Sequence, residues 1–220
     1  NNINQQIKFE INYFLNNNKN IIENYDDDKK ILKLKKNINI NHDLILPGHF
    51  NSIIFQEGSS VNFYDNSNLI SYSTIIINGS QKDKVKFYSH GKNSISIINT
   101  NKLNKIKYAE FNNFDETNIK TGAVTIYKSP ILIHNSSFKD SNSEDNLNIV
   151  DSKFEIFNVI LENSKNDALD IDFSSGTINK LLIKNSGNDG VDFSRSNVKA
   201  DKVNIINSGD KGISIGEKRK

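Results

Sequence analysis

The chain contains no cysteine, no methionine, no tryptophan and only two prolines. Without cysteine there is no disulfide framework, no thiolate zinc site and no thiol nucleophile, so any catalysis falls to carboxylates or histidine. Methionine is missing even at position 1, and the last residues begin a repeat without finishing it, so a piece of a longer polypeptide with further modules is expected. No apolar run approaches the roughly 18 residues that cross a bilayer, and no basic-then-apolar leader opens the chain. This stretch is therefore expected neither to insert into a membrane nor to direct its own export. An excess of one charge is lacking too: 28 basic and 26 acidic residues leave +2, which supplies no field to attract nucleic acid.

What is present is a rhythm. Hydrophobic residues make up 35% of the chain, little for a globule but enough for a narrow, continuous core of Ile, Val, Leu and Phe. From Ile31 onward short alternating runs recur between Asn, Asp, Gly and Ser: ILKLKK, SIIF, SVNFY, STIIING, KVKFY, SISII, KIKYAEF, AVTIY. Each reads as a strand between turns. Both prolines, Pro47 and Pro130, fall at strand ends, where a ladder tolerates them.

The second half carries the decisive register. Asp145 to Asn166, Asp167 to Asn188 and Asp189 to Asp210 are three units of equal length, and a fourth starts at KGISIGE. Aligned this way, Asn163, Asn185 and Asn207 share one column, preceded by Asp140 and Asn113 where earlier coils differ slightly in length. Leu161, Ile183 and Ile205 share another, preceded by Phe138 and Phe111. A fixed period of about 22 residues is the signature of a single-stranded solenoid, and crossover sterics favour the right-handed form. The expected fold is an all-β, right-handed parallel β-helix over residues 31–220. The asparagine column is read as a structural ladder passing amide hydrogen bonds from coil to coil. Residues 1–30 are read as a cap over the first coil, helical through Ile7, Ile11, Phe14 and Leu15, protecting an otherwise unpaired edge.

One constellation has chemical potential. Each C-terminal coil opens on an acidic box: EDNLN, NDALD, NDGVD, then DKGIS. Strand alternation turns Leu169, Ile171, Val191 and Phe193 inward, so Asp170 and Asp192 point outward and Asp167 and Asp189 stand at the preceding turn. Lys211 continues the Asp167 and Asp189 column and offsets their charge. Carboxylates one strand apart repel, and must hold a cation, share protons or meet a base. No cofactor is expected. Ca²⁺ is the alternative that these carboxylates, with Glu217, leave open, although no EF-hand or nonapeptide calcium motif is present. His42, His49, His90 and His134 have no ligand spacing, so no metal site is expected.

NDALD and NDGVD resemble the NTD-type motif of polygalacturonase-family glycoside hydrolases, and GDKGISIG resembles their GDD-type motif. The resemblance implies an inverting hydrolysis in which Asp189 helps activate water and Asp210 acts as acid, with Asp167 alongside. Lys211 stands where that family has its second Asp. From Thr121 to Glu217 the chain is also similar to bacterial right-handed β-helix repeat proteins of the pectate-lyase-like superfamily, some of which carry a CotH kinase-like module. That resemblance implies the fold and an extracellular or cell-surface location. Asp at turns has an ordinary reading as well, capping backbone N–H groups in every coil. The functional expectation is a non-catalytic module presenting an acidic strip, with Asp170, Asp192, Lys211 and Glu217 as ligand-binding residues, to a polysaccharide or cell-envelope component. The alternatives are a polygalacturonase-like hydrolase using Asp189 and Asp210, and a structural spacer.

Overall fold

A computed structural model describes residues 2–115 and 122–216. It is a parallel β-solenoid of about 8 turns with about 23 residues per turn, preceded by one helix. Among the described residues the strands form two sheets, one of fourteen strands and one of eight. Each turn of the chain contributes two arms to the larger sheet and one strand to the smaller. In the last three turns the two arms fuse into long bent strands, Lys153–Ser164, Ser175–Ser186 and Asn197–Ser208.

The constant period holds where the sequence showed it: Glu155 pairs with Thr177 and Thr177 with Lys199. Earlier turns deviate more than slightly. Ile76 pairs with Lys105 and Lys105 with Leu132, longer and unequal steps, because loops such as the one over residues 79–84 are inserted between arms without disturbing the ladder. Equivalent inward residues lie over one another. Phe87, Phe111 and Phe138 stack with ring centroids 4.7 Å apart and planes within 8° of parallel, which is the spacing of the strands that carry them. Leu161, Ile183 and Ile205 continue this file.

From Asn99 onward each turn has three bends, marked by non-glycine residues in the left-handed region. One file is Asn113, Asp140, Asn163, Asn185 and Asn207. A second is Tyr108, Asn135, Asn158, Lys180 and Lys202, and a third is Asn99, Lys128, Asp151, Phe173 and Arg195, all with φ between 47° and 61°. Such a φ costs roughly 1–2 kcal/mol for most residues, and Asn is the cheapest occupant because its short amide bonds locally. In the first file Asn163 Nδ2 donates to Asp140 Oδ1 (2.7 Å), Asn185 to Asn163 (2.9 Å) and Asn207 to Asn185 (3.1 Å). This ladder is exposed, so it stabilises the bend conformation and satisfies no buried amide.

The buried ladder is made of serine. Immediately after the third bend, the Oγ atoms of Ser129, Ser152, Ser174 and Ser196 accept the backbone N–H of the preceding coil, from Thr100, Ser129, Ser152 and Ser174 respectively, all at 3.0 Å. Each hydroxyl donates in turn to the carbonyl two residues earlier in its own coil.

At the N-terminal end, helix α1 (Asn2–Asn17) lies over the first coil. Its helical phase buries Ile11 and Phe14 and leaves Phe9 and Tyr13 68% and 65% exposed, a split that a strand with Ile7, Phe9, Ile11 and Tyr13 on one face would not give. Phe14 and Tyr25 both pack edge-on against Phe50. The strand Ile22–Asp26 then pairs antiparallel with Ile31–Leu34, closing the sheet edge that a parallel solenoid would otherwise expose. No helix among the described residues is long and apolar enough to cross a membrane.

Candidate functional site on the eight-stranded sheet

The acidic boxes open the last strands of the smaller sheet. Parallel register places Asn148, Asp170, Asp192 and Ser214 in one outward file, and Asp145 beside Asp167 at the strand start. The inward residues Leu147, Leu169 and Val191 are buried between them, so alternation alone fixes which face the carboxylates occupy.

Asp167 and Asp189 act on backbone. Asp167 Oδ1 accepts the N–H of Asp189 at 2.8 Å and Nδ2 of Asn188 at 2.7 Å. Asp189 Oδ1 accepts the N–H of Lys211 at 2.8 Å and is 5% exposed. The adjacent Gly190 is required by packing: a Cβ there would meet Gly212 O at 2.5 Å and Ile205 Cγ2 at 2.7 Å. The NDGVD segment is thus a turn in which aspartate ties one coil to the next. The structure does not bring Asp210 into this buried turn. Its side chain is exposed and hydrogen-bonds the Lys211 ammonium, whose pKa is raised by that bond first and by the charge of Asp189 next. Glu217 lies outside the described residues.

Asp170 and Asp192 do converge, one coil apart, and their surroundings are acidic. Asn148 Nδ2 donates both to Asp145 Oδ2 (2.9 Å) and to Asp170 Oδ2 (2.7 Å). Burial, followed by the charges of Asp145, Asp172, Asp192 and Asp167, pushes the Asp170 carboxyl up from the ordinary 3.8 to about 8. Asp170 therefore holds its proton at neutral pH and can donate a hydrogen bond. Asp172, absent from the expected set, joins the same face. Its pKa is raised by burial and then by Asp192. Its signal in the sequence was the parity it shares with Asp170, two residues before it.

Among the described residues no group of three His, Asp or Glu side chains is placed to hold a metal ion. His49 pairs with Glu10 and His134 with Glu155, while His90 stacks on Tyr64; these histidines serve the surface and the cap. Fold and face together define a parallel β-solenoid with an acidic strip on its smaller sheet. Compared with known proteins, the chain matches no family model, no curated protein and no solved structure.

Proposed function

We propose that this chain is a non-catalytic, extracellular or cell-surface binding module whose acidic strip engages a polysaccharide or other envelope component. One observation carries the reading: the outward face of a rigid parallel sheet gathers Asp170, Asp172 and Asp192, and every charge that shifts Asp170 is another carboxylate. Such a strip offers a protonated donor beside acceptors at strand spacing, which suits ligands rich in hydroxyl or amino groups and repels uronates. The proposal includes a relationship to the pectate-lyase-like superfamily and to bacterial β-helix proteins found with CotH kinase-like modules, which would entail an exported setting and modular neighbours.

The test is titration of glucosamine hexamer and polygalacturonate hexamer at pH 6, against the native chain and an Asp170→Asn, Asp192→Asn double variant. The reading expects the amino-sugar oligomer to bind the native chain more tightly, and the double variant to lose about tenfold or more. Equal binding of both oligomers, or none at millimolar concentration, would retire it.

A hydrolase remains as a second reading because one specific feature favours it: a carboxyl held protonated beside another carboxylate is the charge division that glycosidic hydrolysis uses. That pair is Asp170 and Asp192. Asp189, buried and bonded to the Lys211 backbone, is poorly disposed to activate water. Release of reducing ends from neutral and acidic glycans that disappears in Asp170→Asn would establish catalysis there. Silence across that panel leaves the binding reading.

A further inference from the structure

A second surface, on the larger sheet, has the character of a sugar site. Gln81 and Lys84 of the loop over residues 79–84, with residues of the three turns that follow it, line a groove of about 340 Å³, within the range of small-ligand sites at its lower end. Gln81 and Lys84 form the loop side. Glu110, Ser137 and Ile160, which share one outward file, form the floor, and the bend residues Tyr108, Asn135 and Asn158 form the corner.

Two features of this groove are not explained by the fold. First, the amide ladder at this bend is only two residues long. Asn158 Nδ2 donates to Asn135 Oδ1 at 2.7 Å, but the flanking places in the file are Tyr108 and Lys180, so the ladder is not passed on. Among the described residues, the Asn135 amide donors and the Asn158 amide oxygen meet no further partner, and both residues line the groove. Second, its lysines are balanced. Lys84 Nζ lies 2.8 Å from Glu110 Oε1, and Lys139 Nζ lies 3.6 Å from Glu162 Oε2. A groove built for an anion would leave its cations unpaired.

We propose that this groove is a binding site for a neutral polysaccharide, holding a mono- or disaccharide unit of a longer chain. Its open amide donors and acceptor match sugar hydroxyls, which both give and take hydrogen bonds. The Lys84–Glu110 pair presents a donor and an acceptor side by side, as a vicinal diol requires, and Tyr108 adds aromatic surface for a ring face. The site is independent of the acidic strip, being on a different sheet with different residues.

The experiment is calorimetric titration of the intact chain with cellohexaose, mannohexaose and xylohexaose, repeated on a Lys84→Gln, Glu110→Gln double variant whose fold is checked by circular dichroism and urea midpoint. The expected result is binding of at least one hexasaccharide with a Kd of about 1 mM or tighter, weakened at least tenfold in the double variant. Asn158→Ser, which shortens the amide while keeping a polar side chain, should also weaken it if the double variant proves unstable. The proposal falls if none of the three binds at roughly 5 mM, or if the folded variants bind as the native chain does. Glucosamine hexamer, the probe for the strip, should bind the Lys84→Gln, Glu110→Gln variant undiminished, so failure of the groove and failure of the strip are read separately.

Discussion

Replacing Asp170 by asparagine should make the solenoid more stable, by an amount that grows as the pH rises from about 4 to about 8. The native carboxyl titrates at about 8 in the fold, against the ordinary 3.8. An unfolded chain releases this proton first, so between roughly pH 4 and 8 the folded state binds more protons than the unfolded one and stability falls as pH rises. Above 8 the loss is complete, on the order of 5 kcal/mol for the full displacement. Part of that figure belongs jointly to Asp145, Asp167, Asp172 and Asp192, whose charges remain in the variant and repel one another. A gain of about 3 kcal/mol at pH 9 is therefore the working expectation for Asp170→Asn. At pH 5 the gain should shrink to about 1 kcal/mol or less, because little of the native penalty has yet appeared. Asparagine keeps an oxygen for Asn148 Nδ2, which donates to Asp170 at 2.7 Å, so the substitution changes charge with little change in bonding. Urea unfolding followed by circular dichroism at pH 5, 7 and 9 measures both proteins. A difference that is the same at all three values would show that Asp170 carries no displaced proton, and the acidic strip would lose its donor.

Other consequences follow from the files. Ser152→Ala removes the acceptor for the Ser129 N–H in a buried ladder and should cost about 1–3 kcal/mol in urea unfolding. Asn185→Ala, in the exposed ladder, should cost about 1 kcal/mol, mainly through its left-handed φ of 58°. Lys180→Asn should add about 0.5–1 kcal/mol to the stability read from urea unfolding, since it relieves a φ of 61° and extends the Asn135 and Asn158 amides by one step. Phe111→Ala in the ring stack should cost about 3–5 kcal/mol, whereas Phe111→Leu, the residue type that occupies this file at Leu161, should cost less than half as much.

What the sequence showed and concealed divides along physical lines. The Asn163, Asn185 and Asn207 file was legible because one residue type recurs at a constant spacing. The core files were legible because inward parity is filled almost throughout by apolar side chains, with buried Ser71 and Ser89 as exceptions. The serine ladder was not, since serine reads as a turn or surface residue, and the step from Ser129 to Ser152 is one residue longer than the period that settles after it. The second and third bends were hidden because Tyr108, Asn135 and Lys180, or Lys128, Asp151 and Phe173, share a backbone angle and no side-chain chemistry. Inserted loops had the same masking effect on the first half: the steps from Ile76 to Lys105 and from Lys105 to Leu132 are continuous in the ladder and irregular in the string. Asp172 has the outward parity of Asp170 but lies two residues beyond the NDALD motif, so the motif does not mark it.

The motif also illustrates how a turn can imitate a catalytic signature. In NDGVD the aspartate accepts a backbone N–H from the next coil, and Gly190 is needed because Gly212 and Ile205 leave no room for a methyl group. These requirements recur in any solenoid with a tight parallel turn, whether or not it hydrolyses anything. Asp189→Asn separates the two meanings. Asparagine retains an acceptor oxygen for the Lys211 N–H, so a turn role predicts a stability change within about 1 kcal/mol, while Asp189→Ala, which strands that N–H, should cost about 1–3 kcal/mol. A water-activating carboxylate behaves in the opposite way: asparagine and alanine would abolish glycan cleavage equally. Urea midpoints and reducing-end release on the same two variants decide the matter, and a stable Asp189→Asn protein that had lost a measurable hydrolytic rate would overturn the structural reading of this turn.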